Sequence, residues 1–124
     1  MIISKSRSLA AALLLAAAVI APAVTASPAY AYAPCGKKAP DRDGGAWNAT
    51  ADGVNMRSGS STGCSINGYA GSTDRIDYHC QTAGAWEGDH ATMWTYARNV
   101  RTGVEGWMRT DTLDDFGSNV DCGF

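Results

Sequence analysis

Four cysteines, Cys35, Cys64, Cys80 and Cys122, are spread through a short stretch of chain that is thin in large aliphatic side chains. A chain this small, with so little Leu and Ile, buries too little apolar surface to rely on packing alone, so covalent cross-links become important. An even count in a short chain reads as a framework of two disulfides. No Cys-x-x-Cys pair occurs, so the spacing of a zinc ribbon is missing.

The segment ahead of the cysteines has a different character. Lys5 and Arg7 open it, Leu9 to Ile20 is continuously apolar, Pro22 ends the run, and small residues follow up to Ala26 and Ala31. That order predicts a secretory signal peptide over residues 1–31, cut after Ala26 or Ala31, and hence a secreted, extracellular protein. The apolar run is shorter than the roughly 20 residues a membrane-spanning helix needs, so no membrane partner is expected. Cleavage after Ala31 leaves 93 residues with eight basic and twelve acidic side chains, a formal charge of −4. That length suits one small domain, expected to be a monomer. Mild acidity argues against nucleic acid, which calls for a basic face.

After residue 31 no segment keeps a helical apolar period, whereas short alternating runs separated by glycine-rich turns recur. The runs are 47–51, 54–57, 66–70, 75–81, 93–99 and 104–109. Five to six short antiparallel strands in so few residues predict an all-β fold, a small barrel. Residues 32–45 are read as an N-terminal arm, 46–114 as the barrel and 115–124 as a C-terminal tail. Residues 83–90, between two of the runs, are read as a long loop.

A hairpin centred near Ser72 would set Ala70 opposite Asp74, Ile66 opposite Tyr78, and Cys64 opposite Cys80 on one buried face. Directly opposed cysteines are within bridging reach. The expected pairs are therefore Cys64 with Cys80 and Cys35 with Cys122. On the same alternation, Arg75, Asp77 and His79 turn away from that face.

Catalytic groups are scarce. With every thiol paired there is no cysteine nucleophile. Glu87, Asp89 and His90 cluster, but read best as a solvated polar loop. Asp41-Arg42-Asp43-Gly44 begins like a calcium loop, yet Ala46 and Asp52 stand where that loop needs its Gly and its Glu. No enzyme activity, cofactor or metal is expected. Aromatic residues are plentiful instead, and aromatics with a polar rim make recognition surfaces for extended peptides. Trp86, Trp94 and Tyr96 are the candidate binding residues, with Trp94 and Tyr96 on one side of a strand by parity.

Val54-Asn55-Met56-Arg57-Ser58-Gly59-Ser60-Ser61-Thr62 resembles the signature that opens bacterial SH3 domains (SH3b). Thr102-Gly103-Val104-Glu105-Gly106-Trp107-Met108 is similar to that family's closing strand, and Trp94-Thr95-Tyr96 to the strand between. Asp77-Tyr78-His79-Cys80 resembles a strand of small secreted single-domain members from actinobacteria. The resemblance covers about residues 46–114 and implies an SH3-like barrel in which Asn55, Arg57, Gly106 and Trp107 are structural. It also implies a targeting module that binds cell-wall peptide or another extended polypeptide. Arg57 is expected to donate to carbonyls of its own loop. The alternative is a disulfide-stapled inhibitor or effector that meets a protein partner through residues 83–90.

Overall fold

The computed structural model describes residues 32–124; the expected signal peptide lies outside them. Six strands form one antiparallel sheet: β1 Ala46–Trp47, β2 Val54–Arg57, β3 Ile66–Ala70, β4 Ile76–Glu87, β5 His90–Asn99 and β6 Glu105–Arg109. A 3-10 turn, Thr110–Thr112, follows β6. The strand order is β1-β4-β5-β6-β2-β3. β3 is thus one edge and β4 is next to the other, yet only residues 71–75 connect them. Five residues reach roughly 20 Å at most, so the sheet must curl until its ends approach. The outcome is the expected all-β class, a curled half-barrel with two disulfides.

Curling gives the sheet a concave face. Met56, Ala70, Ile76, Tyr78, Ala97 and Met108 fill it, closed by Ala49 and Leu113, with Val54 and Val104 packed alongside. The alternation of β2 is legible here, with Val54 and Met56 turned inward. The corner between β3 and β4 is held by a carboxylate. Asp74 is buried; it accepts the Gly71 N–H at 2.8 Å and the Asn99 side-chain amide at 2.9 Å, and pairs in bidentate fashion with Arg101. Asn99 and Arg101 sit at the β5–β6 turn, so one side chain joins the two places where the curled sheet meets itself.

Three expectations about the chain path are corrected. Residues 83–90 are not a loop: β4 runs on to Glu87 and β5 starts at His90, joined by the two-residue turn Gly88-Asp89. These strands are 12 and 10 residues long, so they are not uniformly short. The first strand shrinks to Ala46–Trp47, with an isolated bridge from Ala49 to Leu113.

The cysteine pairing is corrected as well. Cys35 is joined to Cys64 and Cys80 to Cys122, not Cys64 to Cys80 and Cys35 to Cys122. Two features defeat the expected hairpin. β3 pairs with β2, and β4 pairs with β1 and β5, so β3 and β4 are never neighbours. A bulge in β4 also sets His79 and Cys80 against the single residue Tyr96, whereas Tyr78 still faces Ala97. An extra residue in one strand reverses the alternation beyond it. Cys80 therefore leaves the face of Tyr78 and lies on the convex side, where the tail brings Cys122. Stable disulfides belong to an oxidising compartment, outside the reducing cytosol. Among the described residues no helix is long and apolar enough to cross a membrane.

Candidate binding face

Residues directly opposed in an antiparallel pair share a face. Arg57 stands opposite Trp107, Trp107 opposite Tyr96, and Tyr96 opposite Cys80. Beside that row, Arg109 stands opposite Trp94 and Trp94 opposite Thr82. The convex face of the sheet thus carries three large aromatics flanked by two arginines. Exposed to water, such a stripe would be an aggregation liability.

The arm and the tail cover it. Ala33 and Ala39 from the arm and Cys122 from the tail pack with Cys80, Trp94, Tyr96 and Trp107 into a second core. The Trp107 indole donates to the Lys37 carbonyl at 2.7 Å. Phe124 meets the Trp107 ring edge-on at 6.1 Å, and the Lys37 ammonium lies 4.6 Å from the Phe124 centroid. Arg42 donates through its backbone to His79 and through its side chain to the Cys122 carbonyl at 2.8 Å, tying arm, sheet and tail. Each disulfide fixes one cover: Cys35–Cys64 holds the arm and Cys80–Cys122 the tail.

The loop after β2 belongs to the same cover. Ser60 is fully buried, and its backbone N–H donates to Ala33 while the Ala33 N–H donates to the Ser60 hydroxyl. The Ser60 hydroxyl also donates to the Ala83 carbonyl at 3.0 Å. Arg57 donates to the Cys64 carbonyl at 3.0 Å, at the far end of that loop. Gly106 lies where β6 passes β2; a Cβ there would stand 3.0 Å from the Met56 and Arg57 backbone.

Clefts remain on this face among the described residues. One, of about 390 Å³, is lined by Gly36, Lys37, Ser58, Asn67, Tyr96 and Glu105. The Tyr96 hydroxyl donates to Glu105 there at 3.0 Å, and burial together with that carboxylate raises the phenol's pKa. Another, of about 310 Å³, is lined by Asn55, Arg57, Thr62, Trp94, Arg109 and Thr112. Its Arg109 pairs with Asp111 at 2.9 Å and lies 3.8 Å from Glu87.

The three candidate binding residues part company. Trp94 and Tyr96 share the convex face as their parity requires; both are almost fully buried, and each lines one cleft. Trp86 is opposite Ala91, on the other face, together with Met93, and is half exposed. A second bulge between Ala83 and Trp86 sends it there. His90 is exposed beside Asp89 at the hairpin turn. Sequence reasoning missed Arg109, whose position opposite Trp94 is set by pairing between β5 and β6.

Trp94 fits only because of a glycine. Its indole nitrogen is buried without a hydrogen-bond partner among the described residues, and a Cβ on Gly84 would lie 2.2 Å from it. Gly84→Ala is expected to destabilise the fold by about 2–3 kcal/mol, the cost of overpacking a filled site. A urea titration checks this, and an unchanged midpoint would show that the indole moves aside freely.

Compared with protein-family models, with curated proteins and with solved structures, the chain matches none.

Proposed function

We propose that this is a secreted, non-enzymatic binding module that recognises an extended polypeptide bearing free carboxylates, such as the peptide of a bacterial cell wall. The cleft of about 310 Å³ carries the reading: Arg57 and Arg109 line it, and Asn55, Thr62 and Thr112 add hydrogen-bonding groups. Guanidinium groups match carboxylates in bidentate geometry. Wall peptides present such carboxylates. The apolar leader, the oxidising compartment and the likeness of residues 54–62 and 102–108 to bacterial SH3 motifs support the same assignment.

Co-sedimentation of the purified protein with peptidoglycan sacculi tests it. Retention above a serum albumin control is expected. Arg109→Ala should weaken it about tenfold, the loss expected for one charge-assisted hydrogen bond of roughly 1.4 kcal/mol. Retention equal to the control would end the wall-binding reading.

The second reading, an inhibitor or effector of another protein, is favoured by the half-exposed Trp86 on the projecting β4–β5 hairpin. If Trp86→Ala abolishes capture of a protein partner and leaves sacculus binding absent throughout, that reading replaces the first.

A further inference from the structure

We propose that Asp41, Asp77 and His79 form a binding site for a divalent transition-metal ion of the zinc type, which clips the arm to β4. Asp41 comes from the arm, and Asp77 and His79 from β4. One ligand atom from each lies within 4.8 Å of the others.

The imidazole carries most of the argument. His79 is 7% exposed, and its ring lies 5.3 Å from that of Tyr96 in the second core. Nδ1 is 3.3 Å from the Ala39 carbonyl, which can only accept, so Nδ1 bears the hydrogen in the neutral ring. The Nε2 lone pair then points outward. It faces not a donor but two carboxylate oxygens, Asp77 at 3.8 Å and Asp41 at 4.0 Å, both beyond hydrogen-bond reach. A ring nitrogen fixed by a backbone carbonyl on its far side is the usual setting of a metal-bound histidine.

The donor set agrees. Two carboxylates, Asp77 and Asp41, face the one imidazole nitrogen, a set whose charge a dication would balance. The ligand atoms need to draw in modestly, since neighbours around a tetrahedral ion stand roughly 3.4 Å apart. Asp41, whose side chain is half exposed, can make that movement. One imidazole and two carboxylates suit zinc and its neighbours better than the all-oxygen shells of calcium or magnesium. Three protein ligands leave a position for water.

The test uses the purified, oxidised protein titrated with Zn²⁺, and with Co²⁺ as a spectroscopic stand-in. At a hundredfold excess over the dissociation constant, Zn²⁺ should raise the melting temperature by about 10 °C or more. Co²⁺ should give a visible absorption band at one equivalent. His79→Gln and Asp41→Asn should each weaken binding at least a hundredfold. Asp41→Asn alters a half-exposed side chain and leaves the fold intact, so it decides the matter if the buried His79 variant fails to fold. His90→Ala should bind as the wild type does. No thermal shift and no cobalt band would overturn the proposal. Wild-type affinity in Asp41→Asn, or loss of binding in His90→Ala, would overturn it equally.

Discussion

Replacing Cys80 and Cys122 together by serine is expected to cost about 4 kcal/mol, because this bond closes the longer loop, with a sequence separation of 42. For a domain of this size that corresponds to a fall in melting temperature of roughly 16–32 °C. The cause is twofold. The unfolded chain gains freedom, and the tail that covers Trp107 loses its anchor to β4. Cys35→Ser with Cys64→Ser removes a loop of separation 29 and should cost slightly less, about 3.5 kcal/mol. Calorimetry of both double variants checks the sizes. Non-reducing peptide mapping checks the pairing: a peptide joining Cys64 to Cys80 would contradict the bulge at His79.

The second large effect is expected at Asp74. Asp74→Asn leaves Arg101 and the Gly71 N–H without their carboxylate partner and should destabilise by about 3 kcal/mol, as for losing charge-assisted hydrogen bonds to a buried carboxylate whose arginine partner is two-thirds exposed. The Arg101 guanidinium first, then the Gly71 N–H and the Asn99 amide, hold the Asp74 carboxyl well below its usual range. A carboxyl whose pKa is depressed on folding stabilises the native state fully above its unfolded value. That contribution is lost as pH falls toward the folded value. The gap between wild type and Asp74→Asn should therefore be widest above about pH 5 and should shrink steadily below about pH 4. Urea midpoints across that range measure it. A gap independent of pH would mean that the charge of Asp74 is irrelevant and only its shape counts.

How far the fold could be read from the sequence depends on which interactions are local. β2 and β3 begin and end where their alternation does, because those strands pack on one side and their flanks are turn-forming. Residues 83–90 misled because Ala-Gly-Ala and Glu-Gly-Asp-His have turn composition. Yet Gly84 is there to make room for an indole on the neighbouring strand, a demand made by tertiary packing. The disulfides misled for the same reason. Consecutive strands usually pair, but here the chain turns a corner at Asp74, and the partners of that side chain lie 25 and 27 residues away.

The candidate site was legible only in part. Parity puts Trp94 and Tyr96 together, and Trp86 would have joined them had β4 carried only the first of its two bulges. That the stripe lies on the convex face, beneath the arm and the tail, depends on contacts such as Trp107 with Lys37, 70 residues apart. Asp77 and His79 are close in sequence and turned away from the Tyr78 side, as expected. Nothing local brings Asp41 to them.

The two-sided sheet divides the four tryptophans optically. Trp94 and Trp107 are sealed beneath the covers, while Trp47 and Trp86 are each about half exposed, at 52% and 51%. An aqueous quencher such as iodide should reach only the second pair while arm and tail are seated. Lifting the arm would free the Trp107 indole from the Lys37 carbonyl and wet it, turning its emission red. The molecule therefore carries an intrinsic fluorescent gauge of whether its own cover is closed.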